Sequence, residues 1–172
     1  NNNLTWEKSK QIDLGVEFGL FNDVITGEVD FYTKNTDGLL FSVPLPGSSG
    51  QLSFNKNIGN VESKGVEVVL NSKNIRSKNL QWTTSFNIAN NTNEIKSLPN
   101  GNADIITGET INRVGESVAS FFLPEFAGAD PATGDALYYT DGAGSATTNA
   151  YEDANRIIAG NSQPTWIGGL TN

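Results

Sequence analysis

"QIDLGVEFGLFNDVITGEVDFYTK", residues 11–34, alternates in hydropathy with a period of two. Ile12, Leu14, Val16, Phe18 and Leu20 fall on one side, and Gln11, Asp13, Gly15, Glu17 and Gly19 on the other. Successive side chains of a strand point to opposite faces, so the stretch reads as a ribbon with one apolar and one acidic face. Asn22-Asp23 tolerates positive φ and predicts a two-residue turn, with Phe21 beside Val24, between strands at about 9–20 and 24–34. That register sets Leu20 opposite Ile25, Val16 opposite Val29 and Leu14 opposite Phe31. It also sets Glu17 opposite Glu28 and Gly15 opposite Asp30. Like charges directly across a ladder are unfavourable unless water or a cation screens them. The acidic face is therefore expected to be wet. Two partitions satisfy such a ribbon: a protein core against bulk water, or a lipid bilayer against a watery channel.

The same logic repeats downstream. "SKGVEVVLNS" puts Val66, Val68 and Leu70 on one face and Glu67 on the other. After the polar turn "KNIRSKN", the stretch "LQWTTSFNIANN" sets Leu80, Trp82, Phe86 and Ile88 against Gln81, Thr83, Ser85 and Asn87. This predicts a second hairpin at about 63–91. Between the hairpins, residues 35–62 carry Pro44, Pro46, Gly47 and Gly50, which interrupt any ladder and predict a loop with one short strand. Residues 92–172 read as loop-rich, with a strand in "SVASFFLPEFAG" broken near Pro124, a short "ALYY" strand, and a strand beginning in "TWIGGLTN". No helix with a full amphipathic stripe is expected. Connections alternate short and long, as they do in outer-membrane barrels with short periplasmic turns and long extracellular loops.

Composition narrows the chemistry. The 172 residues carry 11 basic and 19 acidic side chains, a formal charge of -8, so no basic surface is available to neutralise phosphates and nucleic acid is not an expected partner. No apolar run approaches the roughly 20 residues of a membrane-spanning helix, but barrel strands alternate and need only about 9–11. The absence of Met and a final stretch that reads as mid-strand predict an excerpt of a longer protein. Without His or Cys, histidine-based triads and thiolate or imidazole zinc sites are excluded for this segment, and no phosphate-cradling Gly-rich motif occurs. No cofactor is implied.

Three candidate sites stand beside plainer readings. Glu17 and Glu28, if opposite, could meet the roughly 5 Å spacing of a retaining glycosidase pair. Nothing nearby supplies the distinct environments that would split their pKa values, and a hydrated acidic wall is the better account of them. Asp130, Thr133, Asp135 and Asp141 crowd "DPATGDALYYTDG", where oxygen ligands could gather calcium, but the spacing does not match a twelve-residue EF-hand loop and a Gly- and Pro-directed turn accounts for it. Trp6, Phe21, Phe31, Tyr32, Trp82 and Phe86 lie on or beside strands and fit either an interfacial girdle or a sandwich core. Phe41, Phe54, Tyr138, Tyr139 and Tyr151 could stack on sugar rings or pack within their loops.

Consecutive stretches resemble the C-terminal part of SusC/RagA-type TonB-dependent outer-membrane receptors. They are "NLTWEKSKQIDLGVEFGLFNDVITGEVDFYTKNTDGLLF", "NIGNVESKGVEVVLNSKNI", "LQWTTSFNIANNTNEIKSL", "RVGESVASFFLPEFAGADPATGDALYYTDG" and "GNSQPTWIGGLTN". The most telling pieces are Trp6-Glu7, the segment from Asn60-Val61 to Gly65-Val66-Glu67, and Gly128 with Asp130-Pro131 and Thr133-Gly134-Asp135. The resemblance implies an all-β fold of antiparallel hairpins and long loops, an excerpt of a large transmembrane β-barrel on the scale of the 22-stranded transporters. Residues 1–172 would form a partial barrel segment of a non-enzymatic receptor in the bacterial outer membrane, importing glycans or oligopeptides. A SusD-like lipoprotein and TonB would be partners of the whole receptor. Ile12, Leu14, Val16, Phe18 and Leu20 would then face lipid, and Asp13, Glu17, Glu28 and Asp30 the lumen. The rival reading is a soluble β-sandwich carbohydrate-binding module. A glycosidase fragment using Glu17 and Glu28 is a third.

Overall fold

A computed structural model of the chain describes residues 4–44, 48, 50, 53–57, 59–142 and 144–172. Among the described residues fourteen strands follow one another: β1 (Lys8–Leu20), β2 (Ile25–Asp37), β3 (Leu40–Pro44), β4 (Ser53–Asn57), β5 (Asn60–Arg76), β6 (Gln81–Ser97), β7 (Ile105–Thr107), β8 (Thr110–Asn112), β9 (Ser120–Pro124), β10 (Phe126–Ala129), β11 (Ala136–Tyr139), β12 (Thr147–Thr148), β13 (Arg156–Gly160) and β14 (Trp166–Thr171). The four long strands and β14 form one antiparallel sheet in the order β1-β2-β5-β6-β14. Chain order and sheet order agree, so this wall is an up-and-down meander. Two insertions leave it at the same end. The first is the β3–β4 ribbon; the second, between β6 and β14, holds the sheets β13-β9-β8-β7 and β10-β11-β12.

The first hairpin has the expected register, with Leu20 opposite Ile25, Val16 opposite Val29, Glu17 opposite Glu28 and Gly15 opposite Asp30. Its turn is longer than two residues. The ladder closes at Leu20–Ile25, and Phe21, Asn22 and Asp23 all take positive φ. The Asp23 carboxylate folds back over Gly19, into space a β-carbon there would occupy, and the Lys73 amide donates to the Val24 carbonyl at 2.9 Å. A turn tucked against its own strand and tied to β5 outcompetes the tighter closure.

Other boundaries shift in the same direction, toward longer strands. β2 runs to Asp37 and β5 starts at Asn60, so both ends of the expected 35–62 loop are ladder, and the remainder carries two paired strands rather than one. Pro46 and Gly47 lie outside the described residues. The second hairpin spans residues 60–97, and its turn contracts to the link in which the Ser77 amide donates to the Leu80 carbonyl at 2.9 Å. Lys73 opposes Thr83 and Ile75 opposes Trp82, so Asn74 is the extra residue of a bulge. The bulge keeps Ile75 on the face of Trp82, where a regular ladder would have turned it away. In the second insertion the strand interrupted at Pro124 and the "ALYY" strand are both present, whereas β7, β8, β12 and β13 have no counterpart among the expected strands. Among the described residues no helix is long and apolar enough to cross a membrane, which says nothing of strands.

The wall has almost no core. The buried cluster is Val61, Ile95, Leu98 and Ile105, with Leu39, Phe41 and Val118 packed against it, at the end where the insertions emerge. Val61 and Ile95 stand on the same face as Glu67 and Asn87 by strand alternation, so both insertions fold over the acidic face. Asn93 fastens the second one there: its carboxamide oxygen accepts from the Ser117 hydroxyl at 2.9 Å and the Val118 amide at 2.8 Å.

Candidate functional site: a two-faced wall

Register aligns side chains into rows that cross all five strands. Val16, Val29, Val68, Ile88 and Gly168 make one row on the apolar face; Phe18, Gly27, Leu70, Phe86 and Leu170 make the next. A third begins at Leu14 and Phe31 and ends at Trp166. Between the Leu14 row and the Leu20 row no position on this face is charged. The face is bare: Ile12 is 71% exposed, Leu14 64% and Leu170 65%, and no second sheet packs on it among the described residues. Phe18 alone of the five apolar β1 residues is half-buried, because its ring lies across Gly27 toward Leu70. Bare glycine thus supplies the seat for an aromatic ring.

The opposite face gathers the four expected acids, Asp13, Glu17, Glu28 and Asp30, and adds Glu67 directly opposite Asp30. It is polar rather than uniformly charged, since Val69, Ala89 and Ile167 also stand on it. Tyr32, expected among girdle or core aromatics, lies on this face and covers Gly65, its phenol oxygen 2.6 Å from where a β-carbon would sit. Near the short turns an open groove of about 600 Å³ is lined by Glu17, Asp23, Thr26, Glu28, Asn71 and Lys73. Glu17 and Glu28 stand side by side on this open surface. Nothing encloses one carboxyl and not the other, so the environments that divide an acid from a nucleophile are missing.

The acidic loop of the second insertion turns its oxygens inward. Asp130 accepts the Ala132 amide at 2.8 Å and Asp135 accepts the Thr133 hydroxyl at 3.0 Å, while the Asp130 amide donates to the Asp135 carbonyl at 2.8 Å. Asp141 accepts the Ser145 hydroxyl at 2.6 Å and the Ser145 amide at 3.1 Å, and these bonds hold its carboxyl below the ordinary aspartate value. Among the described residues no three acids converge on one point. Of the loop aromatics, Tyr138 meets Tyr151 edge to face at 5.3 Å and Phe126 at 6.1 Å, while Phe41 packs on the buried cluster. The Tyr151 hydroxyl donates to Glu109, which keeps its proton above the usual tyrosine range.

A charged ladder at the insertion end of the apolar face escaped the sequence reading. Glu62 takes Lys64 at 2.7 Å and Lys96 at 3.3 Å, and Lys96 reaches Glu94 at 2.6 Å. The alternation of "NVESKG" with "NEIKS" was its signal, but only the register that unites β5 and β6 brings the four together.

Comparison with known proteins agrees with this geometry. Residues 1–169 match the model of the family described as TonB dependent receptor-like, beta-barrel. TonB-dependent receptor P3 of Formosa agariphila is 40% identical over 137 residues, covering 74% of this chain and 14% of the relative. TonB-dependent receptor SusC of Bacteroides thetaiotaomicron is 39% identical over 117 residues, covering 66% of this chain and 12% of the relative. A solved structure of the RagAB peptide transporter superposes with a TM-score of 0.85 and 32% identity, over 99% of this chain and 20% of that one. The chain therefore belongs to the TonB-dependent receptor β-barrel family, of the SusC/RagA type. It spans about a seventh of the curated relatives' length and a fifth of the solved chain. It is a transport-related piece of barrel, the full-length protein belongs in the outer membrane, and the family's members are transporters, not enzymes.

Proposed function

We propose that residues 1–172 are a stretch of wall in an import receptor for glycans or oligopeptides, with Ile12, Leu14, Val16, Phe18 and Leu20 against lipid and Asp13, Glu17, Glu28 and Asp30 against lumen water. The observation that carries this reading is the asymmetry of covering. Both insertions pack on the acidic face, while the apolar face stays bare and uncharged through its central rows. A sandwich would cover the opposite side. Dimensions support the same reading. Trp166 shares a row with Asn90, eight residues along β6 from Trp82 on the same face, which is about 26 Å of strand and about 20 Å of height at barrel tilt. That fits the roughly 25 Å apolar band between aromatic girdles.

On this reading the short turns at 21–24 and 77–80 face the periplasm and the insertions face outward, narrowing the mouth. Cargo would pass a wall of carboxylates and amides. Specificity would come from the insertions, a plug, and a SusD-like lipoprotein closing the mouth, with TonB moving the plug. Solved relatives described as a peptide transporter and a peptide importer support an oligopeptide.

The test is a pair of substitutions in the full-length receptor. Val16→Arg places a charge in the bilayer at a cost of about 2–4 kcal/mol and is expected to deplete assembled receptor in outer-membrane fractions. Glu17→Gln, one residue away, is expected to assemble normally. Equal tolerance at both positions refutes the assignment of faces. Uptake of labelled oligopeptides against labelled oligosaccharides by the assembled receptor decides the cargo.

A further inference from the structure

At the insertion end of the apolar band the wall is not smooth. A groove of about 380 Å³ opens on the apolar face, walled by Ile12, Leu14, Phe31 and Val66 and closed at its outer end by Lys64. It exists because the row Ile12–Thr33–Lys64–Thr92 sets short threonines beside longer neighbours. Its size is within the roughly 300–1,000 Å³ of small-ligand sites.

Charge along this rim is near balance, where the chain as a whole is acidic. The sequence is -8 overall, yet strand alternation places Lys8, Lys10, Lys64 and Lys96 on this face against Asp37, Glu62 and Glu94. Glu62 engages one donor of Lys64 and leaves that side chain 60% exposed, with two further N–H groups free in geometry to reach outward. Lysine on a four-carbon stem lays its methylenes along apolar surface and lifts its ammonium to the polar boundary. An apolar trough ending in an ammonium matches one ligand chemistry: an acyl chain that ends in an anion.

We infer that this groove binds a phosphate-bearing acyl lipid of the outer membrane, its chain between Leu14, Phe31 and Val66 and its phosphate on Lys64, with Lys10 on the next row. The inference rests on the reading of the apolar face as the lipid side. Free phosphate would gain only the ammonium and leave the trough empty, so the lipid is the occupant.

The test uses the full-length receptor, purified in detergent and confirmed as assembled by its resistance to unfolding in cold dodecyl sulfate. Dimyristoyl phosphatidic acid is titrated and bound lipid counted by native mass spectrometry. Lys64→Gln is expected to weaken the tightest lipid site about fivefold, the loss of one basic contact at a lipid surface. Thr92→Leu, which fills the trough and keeps the charge, is expected to weaken it as well, and Lys64→Arg to restore it. Dimyristoyl phosphatidylcholine is expected to bind less tightly than phosphatidic acid, and inorganic phosphate not to compete. Unchanged binding in both Lys64→Gln and Thr92→Leu overturns the inference, as does displacement by phosphate alone. Failure of the face assignment is read separately, in the assembly of Val16→Arg.

Discussion

The wall and the second insertion are built on opposite principles. Wall strands of 13 and 17 residues hold one another by long ladders, broken only by bulges between β5 and β6, and bury almost nothing. The insertion uses strands of two to five residues, positive-φ turns and side-chain caps, yet it supplies half of the one buried cluster. Long registers make a surface; short ones make a plug of packing at its rim. A barrel wall takes its apolar environment from lipid and closes its own backbone bonds, which is why it can dispense with a core. The insertion, which on the proposed reading stands in water, is held by buried Ile95 and Ile111.

The contrast can be broken where the two regions meet. Ile95 is fully buried, so Ile95→Ala in the full receptor is expected to cost about 2–5 kcal/mol locally, read as faster hydrogen exchange at residues 93–118 with the exchange of β1 and β2 unchanged. Equal acceleration in both regions would show that wall and insertion are one cooperative unit. A smaller effect is expected inside the wall. Gly65→Val drives a methyl into the Tyr32 ring, at about 1–3 kcal/mol, and Tyr32→Ala in the same chain should return most of it in denaturant unfolding of the receptor. An additive pair would mean the ring does not rest on Gly65.

The smallest effect lies in the insertion's turns and depends on pH. Asp141 is held below its ordinary value by Ser145, so the folded turn favours the carboxylate. Its contribution is full above the ordinary aspartate value and is lost as pH falls through the lowered one. Amide exchange at Ser145 should accelerate across that acid window, and Ser145→Ala should weaken the dependence.

How much was legible follows from the same contrast. The 11–34 ribbon declares its faces and register because period-two alternation and a turn signal act within one hairpin, and a one-residue slip would invert every side chain. The four acids and five apolar residues singled out there do share their respective faces. The strand ends were not legible: Asn35, Thr36 and Asp37 look like loop composition, but pairing with residues 60–62 carries the ladder through them. Val61 and Ile95 look like stray apolar residues on a polar face until Leu98, Ile105 and Val118 arrive from the insertion. The ring seats at Gly27 and Gly65 were not legible, since a glycine carries no side chain to announce the ring of Phe18 or Tyr32 that covers it. β7, β8 and β12, at two or three residues, are too short to show any period.

One bond governs how the insertion is carried. The second insertion departs from β6 and rejoins it at β14, where the Asn91 amide donates to the Thr165 carbonyl at 3.0 Å. Entry and exit are thus neighbours on adjacent staves, like the two pins of a socket. A cassette of any length fitted between those pins leaves the staves in step, so the insertion can lengthen or shorten at little cost to the ladder that carries it.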